Sequence, residues 1–277
     1  MCDMEKHFGL EDSPALRMIE LGEVDSTNDY LRRLGTGDDR RMTLVTADYQ
    51  CAGRGAGANR WESARGENLL FSLRVMPRSL PARRVFALSE AAALAVRDAL
   101  DVAASASRQP RVGTQHPMPG GFTVKWPNDV YFGDSKVAGI LIENDLQADR
   151  VRSSVIGIGI NVNQHRFTGD APNPRSLADI VGHDVSRRRV LERFMECFMH
   201  YMRQLDSGDE TALDSLHEHY KKHLYLRGKK HKYIDEMGIF CATLTDVEPS
   251  GHLILVDDEG ARRRYAFKEV QYVLQHL

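Results

Sequence analysis

Cysteine is scarce: four occur in 277 residues, Cys2, Cys51, Cys197 and Cys241, no two of them close in sequence. That spacing excludes a C-x-x-C metal or redox pair and a disulfide-dense scaffold, and points to reduced thiols in a cytoplasmic protein. Long apolar runs are missing too. The longest uncharged apolar stretch lies near Val155–Val162, far short of the ~20 residues a membrane-spanning helix needs. Met1–Leu10 carries Asp3, Glu5 and Lys6 without an apolar core, so no secretory leader is expected. An excess of one charge is also absent. Lys and Arg number 37 against 39 Asp and Glu, a formal net charge of −2, which argues against coating nucleic acid by bulk electrostatics. What is present is ordinary globular composition, 42% hydrophobic and 27% charged, in a length that at about 150 residues per domain suggests two domains.

Local patterns divide the chain. The first 22 residues read as a short strand with a frayed start. Ser26 then caps a helix, with Asp29 at capping-box spacing and Gly35 as the stop. Thr43–Tyr49 and Leu69–Val75 read as strands. Between them, Gln50 to Trp61 holds three glycines in five positions, Gly53, Gly55 and Gly57, which predicts a mobile loop rather than a regular element. Val85, Leu88, Ala92, Val96 and Leu100 recur at helical steps. Ala103–Gly121 is polar and rich in proline and glycine, and reads as a surface loop or insertion. Strands are expected at Phe122–Trp126, Lys136–Glu143 and Ser154–Val162, and helices at Ser186–Leu205 and Asp209–Leu226. From Arg227 short alternating strands with turn signals such as Asp257-Asp258-Glu259-Gly260 suggest a small all-β barrel. No repeat of fixed period is visible.

Four segments carry chemistry. In the glycine-rich loop, backbone N–H groups and Arg54 suit a phosphate or carboxylate. The loop is neither a Walker motif nor Gly-x-Gly-x-x-Gly, and alone it is more simply a surface loop. Lys125-Trp126-Pro127-Asn128-Asp129 puts a lysine, an amide and a carboxylate at one strand end, where a plain hairpin accounts for Asn128 and Asp129 but not for Lys125 in an apolar strand. In Lys136-Val137-Ala138-Gly139-Ile140-Leu141, Gly139 interrupts a strand, through a bulge or because a ligand comes close. In Gly157-Ile158-Gly159-Ile160-Asn161, two glycines alternate on one face of a buried strand; a flat ligand or a tightly packed helix would lie there. Cys51 lacks an activating base, and His217, His219 and His223 read as a solvated helix face rather than a metal site.

The order of these motifs, with Ser26-Thr27-Asn28 ahead of them, closely resembles biotin protein ligases over roughly Glu20–Asn163. Lys-Trp-Pro-Asn-Asp is the most specific part, and the tail is similar to the family's small C-terminal domain. The resemblance implies an α+β protein. A catalytic domain (residues 1–226), a mixed sheet flanked by helices like that of class II aminoacyl-tRNA synthetases, would precede an SH3-like barrel (227–277). It implies ATP-dependent activation of biotin to biotinyl-adenylate with loss of pyrophosphate. Transfer to a lysine of a biotin carboxyl carrier domain follows, with Mg²⁺ as cofactor. By the same resemblance Ser26, Thr27, Asn28, Gln50, Gly53, Arg54, Lys136 and Gly139 contact biotin. Arg54, Arg60, Trp61, Asn128 and Asn161 contact ATP, with Trp61 covering the nucleotide once the loop closes. Arg54, Lys125, Lys136 and Asp129 support the chemistry, Asp129 either binding Mg²⁺ or orienting the carrier lysine.

One departure stands out. Many members have a polar or basic residue after Gly-Arg-Gly and a glycine two residues on; here these are Ala56 and Ala58, with the glycine shifted to Gly57. Loop charge falls to Arg54 and Arg60, so looser closure over the adenylate is expected. A lipoate ligase shares the adenylation logic and is the rival enzyme reading. A non-catalytic biotin binder is disfavoured because the cationic positions are all present. A DNA-binding repressor needs roughly 60 residues ahead of Ser26; only 25 precede it, so no direct DNA binding is expected. Whether the chain is a monomer or a homodimer is left open.

Overall fold

The computed structural model describes residues 15–35, 41–57, 59–106, 121–169, 171 and 173–274. Ala58, and most of the expected insertion at 103–121, lie outside these residues.

Seven strands form one sheet in the order β1-β2-β3-β7-β6-β5-β4. They are β1 (Leu16–Val24), β2 (Met42–Gln50), β3 (Leu69–Val75), β4 (Phe122–Lys125), β5 (Asp129–Phe132), β6 (Ser135–Gln147) and β7 (Arg150–Ile160). Only β1 and β2 pair in parallel, so the sheet is mixed. Strand alternation then sorts the side chains. In β7, Ile156, Ile158 and Ile160 point into the main core, while Val155 packs with Leu31 and Val45 on the opposite face. By the two-residue period, Gly157 and Gly159 share the face of Val155.

The main-core face is covered by α2 (Ala87–Ala106), α4 (Arg187–Asp206) and α5 (Glu210–Lys222). The alanines of α2 allow close approach from several sides at once, and most of the helix is buried. Phe71 of β3 meets Phe194 of α4 edge-on at 4.9 Å. Among the described residues the one helix on the other face is the short α1 (Thr27–Leu34), so no larger described helix covers Gly157 and Gly159.

Several expectations need correction. Ser26 Oγ accepts from the Asp29 N–H, but it is Asp25, not Asp29, that accepts from the Ser26 N–H. The capping box is half formed because the Asp29 carboxylate is drawn to Arg54. Helix α2 runs on to Ala106, since Ala103–Ala106 are helix-compatible residues. Helix α5 stops at Lys222, and the following His223–Tyr225 segment bonds to Val124 of β4. The histidine face is not solvated throughout. His217 is buried against α2, its Nδ1 2.5 Å from Glu90 Oε1, and among the described residues no cluster of His, Cys, Asp and Glu could hold a metal. Two elements were not foreseen, β5 and the five-residue α3 (Leu177–Val181).

The C-terminal segment forms a second, antiparallel sheet in the order β11-β10-β9-β8-β12. Its strands are β8 (Lys230–Asp235), β9 (Gly238–Val247), β10 (Leu253–Asp257), β11 (Arg262–Tyr265) and β12 (Gln271–Tyr272). Tyr233, Leu244, Val247 and Leu255 belong to the same apolar cluster as the seven-stranded sheet. Trp126 Nε1 donates to the Gly251 carbonyl at 2.9 Å, and the Trp126 ring meets Phe267 edge-on at 6.2 Å. No helix among the described residues is long and apolar enough to cross a membrane.

Candidate active site

The site is built on backbone. Gly139 of β6 stands directly opposite Gly159 of β7, and Gly157 lies opposite Ser72 of β3. These glycines make a strip of sheet without side chains, and the groups above it come close. A Cβ on Gly157 would lie 2.2 Å from Asn28 Oδ1; one on Gly159 would lie 2.3 Å from the Trp61 ring, and one on Gly139 2.8 Å from the same ring. All three distances are below any real Cβ contact, so the glycines are required by what rests on them.

At the Gly157 end the wall is polar and neutral. Helix α1 presents Thr27 and Asn28, held by Ser72. The Thr27 and Ser72 hydroxyls are 2.6 Å apart, and Ser72 Oγ donates to Asn28 Oδ1 at 2.6 Å. Gln50, at the end of β2, accepts from both the Thr27 N–H and hydroxyl. Ser26, Thr27 and Asn28 are buried. At the Gly139 end the wall is ionic. Lys136 Nζ contacts Asp129 Oδ2 at 2.6 Å and lies 3.2 Å from the position of a Gly139 Cβ. The Lys136 backbone is clamped by Asn173 and Arg175 on both sides, and Asn161 Nδ2 donates to the Lys136 carbonyl.

The glycine-rich loop closes on itself through Arg54 and Arg60, paired as a bridge, and through the Gly55 N–H to the Asn59 carbonyl. Trp61 bonds back to the Gly53 carbonyl, and a Cβ on Gly53 would lie 2.5 Å from the Trp61 carbonyl oxygen. The next residue, Glu62, accepts from the Thr168 and Gly169 N–H groups. Burial pushes the Glu62 carboxyl up, but these bonds outweigh it and hold it below the ordinary range. Trp61 is thereby anchored from both sides, and its Nε1–H is buried with no partner among the described residues.

Not every residue expected at the site meets the floor directly. Arg54 lies along α1, its guanidinium on Asp29 at 2.7 Å and on Glu143 at 3.2 Å. Asn128 donates to the Ile140 carbonyl at 2.6 Å and so ties the β4–β5 turn to β6. Lys125 is cross-strand to Asp129, yet its ammonium sits between the Tyr131 and Tyr272 rings, 5.1 and 4.9 Å from their centroids. Burial among these rings lowers its pKa, with Asp129 opposing. Two residues escaped the sequence reading. Ser72 is the lone hydroxyl in β3, and Glu143, in the second half of β6, accepts from Asn28, Arg32 and Arg54. A lone hydroxyl among apolar neighbours was the available signal for Ser72, whereas Glu143 is followed by Asn144 and Asp145 and carried none.

In this structure Asn28 and the Trp61 ring lie on the glycine strip itself, with neutral donors and acceptors at one end and a lysine–carboxylate pair at the other. The model of the biotin/lipoate A/B protein ligase family matches residues 21–161. The chain is 29% identical over 272 residues to the bifunctional ligase/repressor BirA of Bacillus spizizenii, covering 96% of this chain and 78% of that protein. It is 31% identical over 191 residues to the biotin–[acetyl-CoA-carboxylase] ligase of Paracoccus denitrificans, covering 68% of this chain and 73% of that protein. Among solved structures, the biotin protein ligase of Aquifex aeolicus in complex with biotin and ATP is similar with a TM-score of 0.71 at 26% identity, covering 92% of this chain and 99% of that one.

Proposed function

Because the chain belongs to the biotin/lipoate A/B protein ligase family, whose members are ligase enzymes, we propose that it joins biotin to a carrier protein through biotinyl-adenylate. The observation that carries this is the glycine strip closed by Thr27, Asn28, Gln50 and Ser72 at one end and by Lys136 at the other. A cyclic urea needs neutral partners that both donate and accept, and Thr27 with Gln50 and Asn28 supplies them. A carboxylate needs a cation, and Lys136 supplies it.

In the first half-reaction a biotin carboxylate oxygen attacks the α-phosphorus of ATP. The bond to the bridging oxygen breaks and pyrophosphate leaves. Lys136 sits where both anions must meet and offsets their repulsion through the transition state. Its pairing with Asp129 fixes the ammonium before substrate arrives. Arg54 turns from Asp29 and Glu143 toward the phosphates, while Asn128 and Asn161 border the nucleotide with Arg60 and Trp61. Mg²⁺ fits this site in its usual manner, with one carboxylate and substrate phosphates as ligands. Asp129 would hold it, and when bound it draws charge from the phosphates. In the second half-reaction the neutral amine of the carrier lysine attacks the acyl carbon, the acyl C–O bond to the phosphate breaks, AMP leaves, and the proton shed by the nitrogen passes to solvent. Lys125, next to Asp129, adds positive field at the triphosphate end.

We take residues 1–226 as the catalytic unit and 227–277 as a second unit. Cys51, Cys197 and Cys241 are free thiols, which fits a reducing, cytoplasmic setting. The deciding measurement is ATP–pyrophosphate exchange with biotin, lipoate as control, followed by transfer to a purified carrier domain. Exchange with biotin alone is expected, and Lys136→Ala should lower it by roughly 100-fold. Exchange that prefers lipoate, or survives Lys136→Ala at full rate, would overturn the reading.

A further inference from the structure

The cations around the site are mostly committed. Arg54 is held by Asp29 and Glu143, Lys136 by Asp129, Arg32 by Glu143 and Arg33 by Asp25. The loop's own chemistry is thin, since Ala56 follows Gly-Arg-Gly. One further cation reaches it from the C-terminal sheet. Lys268 lies between β11 and β12, and its Nζ is 2.7 Å from where a Cβ on Gly57 would stand. Among the described residues Lys268 makes no ion pair.

Its placement is determined by the backbone around it. Lys268 has φ of +75°, a conformation that a long side chain rarely adopts. The turn is closed by the Glu269 N–H to the Ala266 carbonyl and by the Ala266 N–H to the Glu269 carboxylate at 2.6 Å. Glu269 is thus occupied by the turn and does not pair with Lys268. Phe267, beside it, meets the Trp126 ring. The turn is therefore fastened to the Lys125–Asp129 hairpin, and its lysine is aimed at the glycine-rich loop.

We propose that Lys268 is a nucleotide-binding residue: the C-terminal segment supplies, at Gly57, positive charge beyond the loop's own Arg54 and Arg60, and Lys268 contacts the polyphosphate of bound ATP. This rests on the ligase reading. A lysine ammonium on a flexible stem is a common phosphate partner, and a lysine held at positive φ without a structural ion pair is a residue kept at a cost to stability.

The test compares wild type, Lys268→Gly and Lys268→Arg in the full chain by ATP–pyrophosphate exchange and carrier biotinylation. Glycine relieves the backbone, so Lys268→Gly folds at least as stably as wild type, checked by thermal unfolding. The expected result is a KM for ATP raised about tenfold, with KM for biotin and for carrier within about twofold. Its KM for ATP should also respond less to added salt, and Lys268→Arg should stay near wild type. An unchanged KM for ATP in Lys268→Gly overturns the inference. So does equal impairment of Lys268→Arg, or a KM shift for carrier alone, which would move Lys268 to the acceptor surface. If wild type shows no biotin-dependent exchange, the ligase reading itself fails and takes the inference with it. Normal wild-type exchange with an unaffected Lys268→Gly sinks the inference alone.

Discussion

Lys125 is a half-buried cation between tyrosine rings, with a pKa lowered by its partial loss of water. Such a group costs stability rather than adding it. We expect Lys125→Met to unfold at an equal or higher denaturant concentration than wild type while pyrophosphate exchange falls by at least about tenfold. Equal losses in both would make it a packing residue. Trp61 gives a second measurement. The chain has two tryptophans, and Trp126 is buried and bonded to Gly251. Trp61 lies on the seat proposed for the ligand, so a change in intrinsic fluorescence on adding biotin should disappear in Trp61→Phe. A change that persists would come from Trp126 and contradict the seat. At this scale the sequence showed the glycines and the lysines as types, because backbone without side chains and charge within apolar strands are visible one residue at a time. It did not show that Gly139 faces Gly159, that Ser72 bridges Thr27 to Asn28, or that Glu143 holds Arg54. Those depend on strand register, which local pattern does not encode.

Strong periodicity made most of the elements readable. Ser186 caps α4 and Gly35 ends α1 as their residue types demand. The exceptions were short. Helix α3 has five residues and β5 four, too few for a period to register. Yet α3 positions the site, since the Leu177 N–H bonds to the Asn161 carbonyl. His165 Nδ1 and Asp179 Oδ1 of this helix are 2.6 Å apart. The hydrogen bond with Asp179 raises the His165 pKa. Burial pushes Asp179 up, but the hydrogen bonds from His165 and Ser176 and the charge of His165 together outweigh it and lower it. The raised histidine contributes stability below its ordinary 6.5, lost as pH rises through its folded value. The lowered carboxyl contributes above its ordinary 3.8, lost as pH falls through its folded value. The advantage of wild type over His165→Gln in Tm should therefore be largest between pH 3.8 and 6.5 and shrink above that window. A difference independent of pH, measured by calorimetry, would rule the ion pair out as its source.

For the whole molecule, the sequence indicated an α/β part followed by a β part but not how they join. Besides the shared apolar core, the join includes Trp126, which supplies one hydrogen bond and one ring contact to the C-terminal segment. Trp126→Phe leaves the Gly251 carbonyl without its partner and should lower unfolding free energy by about 1–3 kcal/mol, read by urea titration; no loss would mean the join rests elsewhere. A final consequence concerns redesign of the seat for altered ligands. Pockets are commonly enlarged by shortening the side chains that line them. A floor of Gly139, Gly157 and Gly159 has none to shorten. An analogue bulky on the face toward the sheet cannot be admitted by substitution there, whereas one bulky toward Trp61 or Asn28 can, because those walls have atoms to give up.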